Sequence, residues 1–446
     1  MADIKPFKGI LYNPRLIADM TDVVSPPYDV IPDHQQQAYY DRHPNNIIRL
    51  ILEKIHPSDT KSENRYTRAA DNFNRWMSDK ILCKDPVPAL YLTALDFSVQ
   101  GKSSTRFGLI ALAKIESFDS GVVLPHERTF SQVKSERLEL IKTCHANFSQ
   151  IFALYSDHNS ILDTLISSID FDHPDMDLTD NQNHRHRLWR ITDPTIHHFI
   201  SEAFRDKSLF IADGHHRYET ALNYRNLTAE NCPNFTADHP ANYVMMYLTG
   251  MEDPGLVILP AHRMIRNISD SALISFIQKA SDYFDIDTIP MRDTAPRKAR
   301  RKMMADLSAG RSQHAIGVCI KNDPNGYLMT LKPDVMQQLF ADDIPPSMMA
   351  LDVTVLTRLV LMQLLGFDQS DLDNETLFSY SSDEEDAFEA ALTGGCDICF
   401  ILNPTPISQV RRIAEERLTM PRKSTYFYPK VLTGLVLNHL VPDTGK

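Results

Sequence analysis

Short runs rich in β-branched and aromatic residues alternate with amphipathic stretches of helical period along this chain, an alternation that points to α/β or α+β architecture. Strands are expected at 89–97, 107–115, 209–212, 243–248, 256–259 and 316–320, and helices at 62–80, 135–145, 272–284, 351–365, 383–392 and 408–418. No internal repeat, low-complexity segment or long linker interrupts the pattern. Asn325-Gly326 supplies the positive φ angles that a tight turn needs, so a hairpin is expected near 316–331. At 446 residues the chain exceeds what one core usually organises. Three regions are expected: 1–240 as a core, 241–345 as an α/β middle region with the hairpin, and 346–446 as a C-terminal α/β region. Polar stretches at 173–185 and 291–301 are the boundary candidates.

Charge narrows the partners. Acidic residues outnumber basic ones 58 to 46, a formal net charge of −12, which argues against a broad electropositive surface for nucleic acid or anionic membrane. Any phosphate site must be local. The start Met1-Ala2-Asp3-Ile4-Lys5-Pro6 lacks the charged-then-apolar order of a secretory signal, and the longest apolar stretches, such as 359–367, are too short to span a bilayer. A cytoplasmic protein is expected. The six cysteines are scattered and read as reduced thiols. Cys396 and Cys399 form a CxxC on a strand-like run with no second Cys or His pair at zinc spacing, which favours structural thiols. P-loop, Rossmann and hydrolase-elbow motifs are absent. Asn183-His184-Arg185-His186-Arg187 looks basic but reads as a solvated strand entrance rather than a nucleic-acid patch.

The most informative segment is an apolar run at 209–212 that passes into Asp213-Gly214-His215-His216-Arg217, with an amphipathic helix following at once. Unpaired amides at a helix start, with the positive end of its dipole, favour an anion. Gly214 lets backbone approach, Arg217 offers a planar fork to two phosphate oxygens, and His215 and His216 add donors whose charge can follow the ligand near neutral pH. The plainer alternative has Asp213 capping the helix and the histidines packed on a neighbour, which explains Asp-Gly but not the three polar side chains behind it. A transition metal on Asp213, His215 and His216 ranks below phosphate, because adjacent histidines diverge and no HExxH occurs. No metal ligand is assigned.

Ile211-Ala212-Asp213-Gly214-His215-His216-Arg217-Tyr218 resembles the phosphate-binding box of the ParB and sulfiredoxin superfamily, a strand, then Gly-x-His/Arg-Arg, then a helix. Further blocks look like those of a single family: Ser25-Pro26-Pro27-Tyr28-Asp29-Val30-Ile31, His43-Pro44-Asn45-Asn46-Ile47-Ile48-Arg49-Leu50, His126-Glu127-Arg128-Thr129, Leu259-Pro260-Ala261-His262-Arg263, and Met420-Pro421-Arg422-Lys423-Ser424-Thr425-Tyr426-Phe427-Tyr428-Pro429-Lys430. They span nearly the whole chain, which is identified as a member of domain-of-unknown-function family 1015. The resemblance implies a mixed-sheet ParB/sulfiredoxin-like core around the turn, with an additional α/β C-terminal region. It also implies nucleotide phosphates at the box, as in free-serine kinases of the SerK type, CTP-hydrolysing ParB clamps and ATP-using sulfiredoxins. A kinase fits best, since no basic helix-turn-helix is evident and the box carries no cysteine.

The ligands so implied are ATP or ADP with Mg²⁺ and a small hydroxyl metabolite, free serine by analogy. Asp213, Gly214, His215, His216 and Arg217 are expected to hold the nucleotide phosphates, and Arg422-Lys423-Ser424-Thr425 groups two cations with two hydroxyls for a second phosphate or carboxylate. Asp29, directed by the rigid Pro26-Pro27 turn, and Glu127, between His126 and Arg128, are the candidate bases, with His216 as a further catalytic residue. Tyr28, His126, Arg128 and His262 are assigned to the substrate. Two alternatives stand beside this reading: a non-catalytic nucleotide-binding regulatory module, and a phosphatase acting on a phosphorylated small metabolite.

Overall fold

The computed structural model describes residues 1–127, 131–158, 160–291, 296–374 and 376–442. The chain divides into two compact units, the first comprising Met1–Pro125, Thr129–Val257 and Pro429–Lys446, the second His126–Arg128 and Ile258–Tyr428. Both combine helices with sheets, so the α+β class holds. No described helix is long and apolar enough to cross a membrane.

The first unit is built on a mixed sheet of nine strands among the described residues. Its order is Val123–Leu124, Leu209–Asp213, Ile151–Tyr155, Tyr243–Gly250, Lys102–Lys114, Leu90–Val99, Arg185–Ile191, Met176–Thr179, with Ile4–Lys5 also pairing on Lys102–Lys114. Leu209–Asp213 runs parallel to Val123–Leu124, and Ile151–Tyr155 parallel to Tyr243–Gly250; the other pairs are antiparallel. Parallel neighbours need a crossover, and the helices Pro194–Ala203 and His215–Asn231 lie in these connections. Leu209 and Ile211, two apart on one strand face, enter the core with Ile200, Tyr218 and Ala221 from those helices and Phe204 just past the first. A second cluster gathers Tyr12, Phe73 and Trp76 around helix Arg65–Ser78, which starts at a capping box of Asn64 and Thr67. The returning C-terminal stretch is stitched into this unit through Ser25–Thr433 and Ile10–Leu437 bridges and the pairing of Asn438–His439 with Ala146–Asn147.

The second unit carries an antiparallel sheet in the order Phe284–Pro290, Asn325–Leu331, Ala315–Ile320, Ile398–Ile401, His262–Ile265, Phe378–Ser381. Met303 and Leu307 of helix Pro296–Ala309 and Phe388 of helix Glu384–Leu392 pack on it with Cys319, Cys396 and Cys399. All six cysteines are free, and burial pushes the Cys396 thiol up to about 11, away from the thiolate that redox or metal chemistry uses.

Three sequence expectations change. The hairpin exists, but Asn325-Gly326 is not its turn: both belong to the strand, Gly326 opposite Cys319, while Asn322 takes the left-handed φ of 63°. The helix expected at 351–365 is α-helical only at Asp352–Thr354, and Val355–Leu364 is wound as a π-helix. The basic run at 183–187 is not a solvated entrance, since His184, His186 and Arg187 are buried and Arg185–Ile191 pairs on both sides.

Candidate functional site

The turn at 213–217 is made by a strand that ends irregularly. Register against Ile151–Tyr155 slips between Ile211, opposite Ala153, and Asp213, opposite Phe152, so Ala212 bulges and Asp213 is re-aimed. Gly214 follows at φ 94°, ψ 30°, and helix His215–Asn231 begins at the next residue. An added Cβ at Gly214 would lie 2.9 Å from Arg217 Nε, so the position demands glycine for its conformation and for the close approach of the guanidinium. Gly214, at the N-cap, makes no side-chain capping hydrogen bond, and the positive end of the helix dipole lies at this turn.

Asp213 instead anchors an ion cluster. Its Oδ1 accepts from Lys430 Nζ at 2.6 Å and its Oδ2 from Arg217 Nη2. Arg217 Nη1 donates to the Gln150 carbonyl, and Nε is buried without a partner among the described residues. The fork expected to face a ligand is therefore turned largely onto the protein. Burial opposes ionisation of Asp213, but Lys430 and Arg217 outweigh it and hold the carboxyl far below the usual carboxylate range. Burial likewise opposes the Arg217 charge, and the fields of Asp213, Asp29 and Tyr28 overcome it and raise its pKa. His215 is buried and acts on Asp213 in the same direction as Lys430 and Arg217, whereas His216 is half-buried.

Tyr28 and Asp29 open a short 3-10 helix at Tyr28–Val30 after Pro27. The Arg137 guanidinium lies 4.0 Å from the Tyr28 ring centre and donates to the Ile51 carbonyl at 2.7 Å. Burial pushes the Tyr28 phenol up to about 12, with Asp29 adding to the rise and Arg137 and Arg217 opposing it. Tyr28 and Asp29 thus share the electrostatic neighbourhood of Arg217 and Asp213, and Asp29 is exposed.

The remaining candidates belong to the second unit. His126 is fully buried, with Nε2 3.1 Å from Thr425 Oγ1, and its carbonyl accepts from Met420 N–H. Glu127 is half-buried, and Arg128 lies outside the described residues. The Ser424 hydroxyl donates to the Pro421 carbonyl at 2.5 Å, Thr405 donates to the Ser424 carbonyl, and Lys423 sits at φ 54°. The Arg422 carbonyl accepts from Arg263. His262 is buried with Nδ1 accepting from Leu402 N–H, and burial lowers its pKa to about 4.

Sequence reasoning missed Lys430, Arg137 and Arg106. Arg106, fully buried, packs against the Phe152 and Tyr247 rings at 4.8 and 5.5 Å and donates to the Pro429 carbonyl at 2.8 Å, which fixes the residue preceding Lys430. The one available signal was the quoted block 420–430, which ends on that lysine.

No curated protein matches the chain. Among solved structures it is similar to a free serine kinase variant in complex with ADP (11% identity, 71% of this chain and 87% of that one, TM-score 0.35). It is also similar to a conserved hypothetical protein from Pyrococcus furiosus (12%, 73% and 92%, TM-score 0.33). A third likeness is to SbnI with a C-terminal truncation from Staphylococcus aureus (9%, 73% and 85%, TM-score 0.35). The family model described as "Protein of unknown function (DUF1015)" matches residues 4–354, well over half of the sequence, and the chain belongs to that family.

Proposed function

We propose that this protein is a cytoplasmic phosphotransferase that binds ATP or ADP at Asp213-Gly214-His215-His216-Arg217 and passes phosphate to the hydroxyl of a small metabolite. Free serine is the first acceptor to try, as the sequence resemblance implies. The observation that carries the reading is the convergence of Lys430 and Arg217 on Asp213 at the start of a 17-residue helix. Two cations against one carboxylate leave positive charge where helix amides already favour an anion. Both Asp213 oxygens are held by Lys430 and Arg217, so a Mg²⁺ ion that neutralises charge on the phosphates would be brought in on the nucleotide itself. In the transfer, the acceptor oxygen bonds to the terminal phosphorus, the bond to the leaving nucleotide oxygen breaks, and the hydroxyl proton passes to Asp29. Asp29 is chosen over Glu127 because it shares the electrostatic neighbourhood of Arg217.

Phosphorus NMR of purified protein with ATP or ADP, Mg²⁺ and serine tests this: a growing phosphomonoester signal is expected. No transfer across a panel of hydroxyl metabolites would end the catalytic reading. The engagement of Arg217 by Asp213 and Gln150 favours a second reading, a regulatory module whose ion pair opens on nucleotide binding. That module predicts binding without turnover, a ligand at 100 times its Kd adding about 2.7 kcal/mol of stability without any product. Release of phosphate from phosphoserine without nucleotide would instead identify a phosphatase.

A further inference from the structure

At the edge of the first unit's sheet opposite the 213–217 turn, the hairpin joining Met176–Thr179 to Arg185–Ile191 closes through a tight loop. Asp180 N–H donates to the His184 carbonyl at 2.9 Å, Asn183 N–H donates to the Asp180 carbonyl at 3.0 Å, and Asn183 takes φ 60°. Asp180 Oδ1 accepts from the amides of Gln182 and His184 at 2.9 and 3.0 Å, which fixes the carboxylate. Its Oδ2 lies 3.1 Å from His186 Nε2 and 3.4 Å from His184 Nδ1. His184 and His186, two apart, point to the same side of the chain. One donor atom from each of the three residues falls within 4.8 Å of the other two.

We propose that Asp180, His184 and His186 bind a divalent transition-metal ion of the zinc class. Zinc bonds of about 2.0–2.1 Å in a tetrahedron set neighbouring ligand atoms about 3.3 Å apart. Two of the three separations already match. Two imidazoles with one carboxylate select a borderline ion over Mg²⁺ or Ca²⁺. Both imidazoles are buried while the Asp180 side chain keeps 16% of its surface exposed, which leaves a side from which an ion enters and where a fourth ligand sits. The two backbone amides on Oδ1 orient the carboxylate, and the Phe97 ring edge-on to His184 supplies an apolar wall. Arg106 is the opposing charge near His186, and it is committed to the Pro429 carbonyl and two aromatic rings. Four strands lie between Arg185–Ile191 and Leu209–Asp213 in the sheet order, so the ion would clamp an edge hairpin and take no part in phosphate binding.

The test uses the untagged full chain, stripped of metal and titrated with Zn(II) by calorimetry against a competing chelator, and with Co(II) by visible absorption. One equivalent is expected, with the intense d–d bands of low-symmetry four- or five-coordinate cobalt. Asp180→Asn and the double variant His184→Gln/His186→Gln should each lose affinity on the order of 100-fold. An Asp–His hydrogen-bond network without an ion predicts none of this. Wild-type protein that takes up no more Zn(II) than the double variant, or cobalt that keeps the spectrum of the aquated ion, overturns the assignment. If circular dichroism shows the variants unfolded, the wild-type cobalt spectrum alone decides.

Discussion

Lys430 donates to the Asp213 carboxylate at 2.6 Å, joining residues 217 positions apart in the sequence. Arg217 occupies the other oxygen, so removing either cation changes both the ion pair and the field at the helix start. Lys430→Met is expected to weaken ATP binding about 10- to 100-fold, the scale of a charged hydrogen bond of about 1.5–3 kcal/mol. Asp213→Asn leaves two cations uncompensated and is expected to tighten binding of phosphate anions, most of all without Mg²⁺. Calorimetric titration with and without Mg²⁺ reads both. Equal affinities for wild type and Lys430→Met would remove this lysine from the site.

Arg106 acts through Lys430 as a positioning residue. Its guanidinium holds the Pro429 carbonyl, and Arg106→Met leaves that oxygen unpaired and frees the segment that delivers the lysine. ATP affinity should fall as it does in Lys430→Met, and the double variant should be no weaker than either single change. Strict additivity, which marks independent sites, would show that Arg106 serves packing alone.

Gly214 combines two demands that separate substitutions can pull apart. Gly214→Ala meets a positive-φ cost of about 1–3 kcal/mol and also sets a methyl 2.9 Å from Arg217 Nε. Gly101, at φ 74° in the turn between Leu90–Val99 and Lys102–Lys114, has open space around it, so Gly101→Ala carries the backbone strain alone. Both variants should be destabilised in chemical denaturation, but only Gly214→Ala should lose the thermal shift with ATP. Retention of that shift in Gly214→Ala would mean that the Arg217 contact does not matter for binding.

Where one periodic signal dominates, the sequence places elements closely: the helix expected at 62–80 is Arg65–Ser78, and the strand at 209–212 is Leu209–Asp213. The 213–217 turn was legible for the same reason, being strand, glycine and helix in succession. Strand Arg185–Ile191 was hidden by its charged start, and the polar stretch at 173–185 that reads as a boundary is part of that edge hairpin. The charge is tolerated there because Arg185 pairs with Asp177 at 2.6 Å and Arg187 with Asp96 at 2.8 Å, tertiary partners that no local pattern displays. Asn325-Gly326 misled because the glycine serves packing: a Cβ at Gly326 would lie 2.7 Å from Met303 and 3.0 Å from Met291. Arg137 and Arg106, and the role of Lys430, escaped the sequence for a related reason, since each acts on groups more than 80 positions away.

His262 sets a pH dependence whose sign follows from burial. Removal from water holds the imidazole neutral and lowers its pKa to about 4, with Asp383 opposing the shift, against about 6.5 in an unfolded chain. Below about pH 6.5 the unfolded chain takes up a proton that the folded chain refuses, so stability falls as pH drops toward 4; above 6.5 both states are neutral and the dependence stops. Near pH 5 the loss is about 2 kcal/mol. His262→Asn keeps a side-chain acceptor for the Leu402 amide but cannot titrate. Chemical denaturation at about pH 7.5 and about pH 5 should therefore show wild type losing about 2 kcal/mol more than the variant over that interval. His186, also lowered by burial, adds a slope of the same sign to both proteins and cancels in the difference. Equal losses in the two proteins would mean that the His262 imidazole accepts a proton in the folded state as readily as in the unfolded chain, which a ring sealed in the sheet cannot do.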